Sequence, residues 1–178
     1  MSITLKEFTQ SLKECYSGPV TYESEKMKLK VKKLHPEAVM PTKGTEFSAG
    51  WDITALDCEI IEENNLSTIV YKTGIAVQLP PGHVGLLVPR SSLSKNTTLM
   101  LQNHCGILDQ DYTGEILFKF RDFINNVPNR AFTHSKKYEV NERIGQLVIV
   151  PIPELELELV DELDQTVRAD KGHGSTGR

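Results

Sequence analysis

Short segments with alternating apolar and polar residues are the feature that most limits the possible folds. GEILFKF at 114–120 alternates, MKLKVKKL at 27–34 alternates apolar with basic residues, and ELELELV at 154–160 places three leucines on one face and three glutamates on the other. A period of two residues predicts β-strands that each bury one face. We therefore expect a strand at each of these three places.

Two further strands are predicted around a turn. Residues 71–79 have the composition of a strand, PPGH at 80–83 has that of a turn, and VGLLVP at 84–89 is too apolar for a surface strand. Many short strands with few helices predict a mainly β protein, built as an antiparallel β-barrel or a sandwich.

Two segments stand apart from this pattern. Residues 1–26 space Leu5, Phe8 and Leu12 as one face of a short amphipathic helix, which either covers a hydrophobic patch or binds a partner. The stretch 121–137 is longer than a tight hairpin needs, so we predict an extra polar loop there.

Composition excludes several classes of protein. The net charge of −4 gives no reason to expect nucleic-acid binding, which requires a basic face. Three cysteines without a CxxC motif indicate neither a disulfide framework nor a zinc knuckle. The polar start and the short apolar run at 147–152 predict neither a signal peptide nor a membrane span, so we expect a cytoplasmic, reducing location.

Two motifs carry groups suited to binding an anion. In PRSSLSKN at 89–96, Ser91 or Ser92 can cap a short helix whose free N–H groups bind anions, and Arg90 can grip phosphate with two hydrogen bonds. The alternative is a capped surface turn. RIGQLVIVP at 143–151 places Arg143 and Gln146 at the mouth of an apolar strand, where polar groups need partners.

Carboxylates stand in two other motifs. NHCGILDQDYTGE at 103–115 predicts strand, turn, strand, with Asp109 in the turn as a structural residue or a catalytic base. Gly106 lets a backbone or ligand approach closely. Asp52 in SAGWDITA is either a turn residue or a group near a metal.

The chain ends in ADKGHGSTGR, which has no large apolar side chain and cannot pack into a core. Its glycine, serine and threonine residues offer donors that could wrap a phosphate chain. Ordering ten residues costs about 10 kcal/mol or more in backbone entropy, so this segment should order only on a ligand.

Taken in order, AGWD, PRSSLSK, GILDQDY, RIGQL and GHGSTG resemble the five motifs of the trimeric deoxyuridine triphosphatases (dUTPases), including phage, viral and bacterial members. The resemblance implies a jelly-roll β-barrel over 27–167, a flexible arm at 168–178, and a homotrimer with active sites between subunits. It also implies hydrolysis of dUTP to dUMP and pyrophosphate, which lowers dUTP and supplies dUMP for dTMP synthesis.

The resemblance assigns roles around the base and sugar. Asp109 would activate water for in-line attack on the α-phosphorus, and Tyr112 would stack under deoxyribose and exclude a 2′-hydroxyl. Asn103 would stand at the mouth of a uracil hairpin. The backbone from there through Gly106 to Leu108 would read uracil and crowd out the thymine methyl.

For the triphosphate, the resemblance implies a cradle of Arg90, Ser91 and Ser92, with Gln146 as a further contact. Mg²⁺ would be held mainly by the three phosphates, and Asp52 would meet it through water. In the arm, contacts to base and phosphates would come from Arg168 or Lys171, His173, Gly174, Ser175 and Thr176.

Departures from the family pattern and two alternatives accompany this interpretation. Gly145 replaces a usual alanine, which we expect to be harmless. The related dCTP deaminases share a similar phosphate motif but carry glutamate where this chain has Asp109. The second alternative is a nucleotide-gated regulator in which 1–26 or 121–137 contacts a partner protein.

Overall fold

The computed structural model describes residues 27–63, 66–122 and 136–166. Within these ranges the chain forms nine strands and one short helix, which confirms the mainly β class. In chain order they are β1 (Lys30–Lys33), β2 (Gly50–Thr54), β3 (Asp57–Glu63), β4 (Leu66–Gln78), β5 (His83–Val88), α1 (Leu93–Asn96), β6 (Leu99–Leu101), β7 (Gly106–Leu108), β8 (Glu115–Asp122) and β9 (Arg143–Pro151).

The strands form two antiparallel sheets. The five-stranded sheet has the order β1-β4-β8-β6, with β3 also paired to β4, and the four-stranded sheet has the order β2-β9-β5-β7. Every described strand pair is antiparallel, as predicted. Among the described residues the two sheets do not join into one closed barrel.

The alternation in β8 fills the core as the sequence predicts. Ile116, Phe118 and Phe120 are buried, and the residues between them face outward. The Tyr71 ring from β4 meets the Phe120 ring edge-on, with 5.7 Å between centroids. Gly145 in β9 lies directly against Phe118, and a Cβ there would overlap the ring, so this packing requires glycine at position 145.

The long strand β4 bends at Gly74, which has a φ of 63°. A Cβ at this glycine would meet the side chains of Leu56 at 2.6 Å and Ala38 at 2.8 Å, so the close approach also requires glycine. The Gly74 N–H donates to Oε1 of Glu115 over 2.7 Å. The bend in β4 thereby fixes the first residue of β8.

The predicted strand at 154–160 is wrong for the single chain. These residues form no strand, and Leu155, Leu157 and Leu159 are 80%, 97% and 100% exposed. Alternation predicts which side chains share an apolar face. A strand also needs a neighbouring strand that forms hydrogen bonds with its backbone N–H and C=O groups. No strand in the described part of this chain supplies that neighbour.

Several predictions lie outside the described residues: the helix in 1–26, the central part of the loop at 121–137, and the arm at 168–178. Cys58 and Cys105, the two cysteines within the described ranges, are free thiols. In the same ranges, no helix is long and apolar enough to cross a membrane.

Candidate active site

A hairpin that passes from one sheet to the other forms the first part of the site. β6 pairs with β8 in the five-stranded sheet, whereas β7 pairs with β5 in the four-stranded sheet. Residues 102–105 therefore connect the two sheets. A cavity of about 480 Å³ opens beside them, lined by Leu87, Gln102, Asn103, Gly106, Ile107, Leu108, Asp109, Tyr112, Glu115, Leu117 and Lys119.

Gly106 allows the close packing at this hairpin, as the sequence indicates. It is buried opposite Leu87, and a Cβ on it would lie 3.1 Å from the Leu87 Cβ and 3.4 Å from Nδ2 of Asn103. Leu108 is buried opposite Gly85. His104, at the tip, has a φ of 59°, in the left-handed region. A larger residue at position 106 would push β7 away from β5.

Asp109 follows β7 directly and is exposed at the edge of the cavity. Its carbonyl accepts a 3.1 Å hydrogen bond from the Tyr112 N–H, which closes the predicted turn. Oε1 of Gln110 accepts a 2.9 Å hydrogen bond from the N–H of Gly82, which ties this turn to the one before β5. No described side chain pairs with the Asp109 carboxylate, so it is available to a ligand or a water molecule.

Tyr112 lies beside Asp109 in the same cavity. Its hydroxyl donates a 2.9 Å hydrogen bond to the carbonyl of Glu115, so the ring folds back over the intervening backbone. The outward-facing residues Leu117 and Lys119 of β8 complete the wall. Sequence reasoning missed these two, although the alternation of GEILFKF already placed them on the face away from the core.

A second group of site residues gathers where β9 pairs with β2 and β5. Gln146 on β9 lies opposite Asp52 of β2 on one side and opposite Val88 of β5 on the other. Arg90 follows β5 by two residues. The sheet register therefore brings three separate sequence motifs to one place.

Asp52 is the centre of this group and is only 4% exposed. Its Oδ2 accepts a 2.9 Å hydrogen bond from Nη1 of Arg143, and its Oδ1 accepts a 2.9 Å bond from Nε2 of Gln146. Nε of Arg90 lies 3.4 Å from Oδ1. Two guanidinium groups around one carboxylate leave a positive charge in excess, which favours binding of an anion.

The two serines of the phosphate motif differ in their surroundings. Ser92 occupies the N-cap of α1, as predicted, but its side chain makes no capping hydrogen bond. Instead, its Oγ is buried and has no hydrogen-bond partner among the described residues. Ser91 is exposed. A buried hydroxyl without a partner is uncommon and is available to a ligand oxygen.

The two parts of the site remain separate in the single chain. None of the residues that line the cavity beside Asp109 belongs to the group around Asp52. Within the described ranges, no cluster of three or more His, Cys, Asp or Glu residues could hold a metal ion. The remaining predicted site residues lie outside the described ranges: Arg168, His173, Gly174, Ser175 and Thr176.

Comparison with known proteins gives a consistent result. The family model described as dUTPase matches residues 36–177. The deoxyuridine 5′-triphosphate nucleotidohydrolase of Hahella chejuensis is 38% identical over 147 residues, which cover 82% of this chain and 91% of that protein. A dUTPase of Staphylococcus bacteriophage 80alpha, solved with dUpNHpp, is 33% identical with a TM-score of 0.69 and covers 85% of this chain and 99% of its own.

A second phage structure concerns a metal. It is a mutant dUTPase from phage phi11 of S. aureus, described as revealing the coordination of a structural Mg(II) ion. It is 28% identical to this chain with a TM-score of 0.64, and the match covers 78% of this chain and 100% of the phage protein.

Proposed function

Since the chain belongs to the dUTPase family, we propose that the cavity beside Asp109 and the group around Asp52 are the two parts of its active site. The chain is a dUTP diphosphatase, which hydrolyses dUTP to dUMP and pyrophosphate. The family match and the names of the relatives favour this activity over the dCTP deaminase alternative. The observation that carries the proposed site is the carboxylate of Asp109, which has no side-chain partner among the described residues and lies at the edge of a cavity lined by the hairpin of residues 102–108.

Asp109 acts as the base in this proposal. Its carboxylate takes a proton from a water molecule, the water oxygen attacks the α-phosphorus, and the bond to the leaving pyrophosphate breaks. The exposed position of the side chain leaves room for that water. Uracil would enter the cavity along the backbone from Asn103 to Leu108, and Tyr112 would lie under the sugar.

The triphosphate is proposed to bind at the second part of the site. The contacting residues are Arg90, Ser91, Ser92 and Gln146. Support comes from the excess positive charge around Asp52 and from the Ser92 hydroxyl, which has no partner in the part of the chain that the structure describes. The arm residues Arg168, His173, Gly174, Ser175 and Thr176 would close over the bound nucleotide.

Mg²⁺ fits this donor set only when phosphates supply most of its ligands. The Asp52 carboxylate already accepts hydrogen bonds from Arg143 and Gln146, so we propose that it meets the ion through water rather than directly. When bound, the ion neutralises negative charge on the phosphates. The residues described here orient the phosphate chain around it.

We further propose a homotrimer whose active sites lie between subunits. Two observations support it: the parts of the site share no lining residue within one chain, and the leucine face of 154–160 is exposed. Exposed leucines on an alternating segment are a surface that another subunit can cover. A protein partner for 1–26 or 121–137 stays a prediction, because most of those residues lie outside the described ranges.

The role of Asp109 is tested by replacing one carboxylate at a time. Asp109→Asn should lose at least about a hundredfold in kcat, the usual contribution of a general base. Asp111→Asn is the matched control, because Asp111 lies in the same turn but does not line the cavity. Equal losses in both variants would show that the charge of the turn matters and that Asp109 has no special role.

The inter-subunit site is tested by mixing two inactive variants. Asp109→Asn and Arg90→Ala each disable one part of the site, so co-expressed trimers should contain some sites with both parts intact. Activity should then rise well above that of either variant alone. If mixed trimers form and stay inactive, each subunit holds a complete site of its own.

A further inference from the structure

Tyr112 lies directly over Gly114, and this contact sets the position of the aromatic ring. A Cβ on Gly114 would stand 2.6 Å from Oη of Tyr112, 2.7 Å from its Cζ and 3.0 Å from its Cε2. Carbon atoms that are not bonded to each other pack at about 3.5–4.0 Å. The ring therefore occupies the space that any side chain at position 114 would fill.

Two hydrogen bonds hold the Tyr112 ring and the backbone at Glu115 in place. The Tyr112 hydroxyl donates to the carbonyl of Glu115 over 2.9 Å, and Oε1 of Glu115 accepts from the N–H of Gly74 over 2.7 Å. These two bonds connect the ring to the bend in β4. Because Tyr112 also lines the cavity beside Asp109, the connection sets how far the ring projects into that cavity.

We propose that Gly114 is a positioning residue that determines the selectivity of the enzyme for dUTP over UTP. The inference rests on the proposed contact of Tyr112 with deoxyribose. With no side chain at position 114, the hydroxyl end of the ring lies close against the backbone, and the ring presents a fixed surface that leaves no space for a 2′-hydroxyl. A methyl group at this position displaces the ring and breaks its bond to Glu115, so that surface is lost.

Alanine at position 114 should displace the Tyr112 ring without straining the backbone or disturbing the core. The described glycines with positive φ are Gly74 and Gly82, so the backbone at Gly114 is one that alanine adopts without strain. Tyr112 is 43% exposed, so its ring can move aside without disturbing the core. Gly44→Ala is the matched control, because a Cβ there would meet only Oγ of Ser48, at an ordinary 3.6 Å.

The experiment measures kcat/KM for dUTP and for UTP in the wild type, Gly114→Ala, Gly44→Ala, Tyr112→Ala and the double variant of Tyr112 and Gly114. The ratio for dUTP over UTP should fall by about tenfold or more in Gly114→Ala, the size of effect typical of a lost steric contact in a pocket. Gly44→Ala should keep the wild-type ratio, and the melting temperatures of both glycine variants should stay close to that of the wild type.

The double variant decides whether Gly114 acts through Tyr112. Gly114→Ala should cause no further loss of selectivity once the ring is gone. A wild-type ratio in Gly114→Ala, or an added loss in the double variant, would overturn the inference. An unchanged ratio in Tyr112→Ala would overturn both the inference and the proposed sugar contact, whereas a wild type that fails to hydrolyse dUTP would contradict the function itself.

Discussion

The carboxylate of Asp52 accepts a 2.9 Å hydrogen bond from the guanidinium of Arg143, across the pairing of β2 with β9. The two side chains differ in exposure, at 4% for Asp52 and 51% for Arg143. The aspartate is therefore the member of the pair that depends on its partners. The arginine can turn to water or to a ligand.

Asp52→Asn should destabilise the protein more than Arg143→Ala. The asparagine keeps the shape of the side chain but removes the charge that offsets two guanidinium groups, at a cost of about 1–3 kcal/mol in the free energy of unfolding. Loss of the half-exposed Arg143 should cost about 1 kcal/mol or less. Urea unfolding of both variants measures the difference, and the reverse order would contradict this view of the cluster.

Gln110→Ala should lower kcat about fivefold with little change in KM. The substitution removes the bond from the Gly82 N–H, worth about 1 kcal/mol, and loosens the turn that carries Asp109. Gln110→Glu keeps an acceptor oxygen and should recover most of the activity. Steady-state kinetics with dUTP would disprove this role if alanine were as active as glutamine.

Gly145→Ala should destabilise the protein by about 1–3 kcal/mol, because its Cβ would overlap the Phe118 ring in the core. Replacing Phe118 with leucine in the same chain should offset part of that loss. Thermal unfolding of the two single variants and the double variant measures the coupling. Additive effects would mean that the two positions do not compete for the same space.

At neutral pH, Tyr71→Phe should lower the free energy of unfolding, whereas Tyr138→Phe should leave it unchanged or raise it. The Tyr71 hydroxyl donates a buried 2.9 Å hydrogen bond to the carbonyl of Tyr138, so its removal should cost about 1 kcal/mol. The hydroxyl of Tyr138 is buried without a partner among the described residues, so its removal should be neutral or stabilising. Chemical denaturation at pH 7 compares the two, and equal costs would contradict the assignment.

Burial raises the pKa of both Tyr71 and Tyr138 in the folded chain, by disfavouring the phenolate. The unfolded chain then loses these protons first, near the ordinary tyrosine pKa of about 10. The stabilisation is complete below that pH and is lost as the pH rises above it. Melting temperatures between pH 8 and 11 should fall less steeply in the variant with phenylalanine at both positions than in the wild type.

Local patterns in the sequence predicted the local parts of the structure. The alternation around Phe118 gave β8, and the turn carrying Asp109 lies where the residues indicated. The strand at 154–160 failed because strand formation depends on a distant neighbour, which alternation does not specify. The contact between Arg143 and Asp52 could not be predicted from the sequence either. It depends on the register of β2 with β9, which joins residues 91 positions apart in the chain.

The measurement that tests the account most directly is pyrophosphate release by the wild type and by Asp109→Asn, with dUTP, dCTP, dTTP and UTP offered separately in the presence of Mg²⁺. We predict release from dUTP alone in the wild type, and its loss in Asp109→Asn with dUTP binding retained. Comparable release from dTTP or UTP, or full activity in Asp109→Asn, would contradict the assignment of this cavity and this carboxylate as the active site.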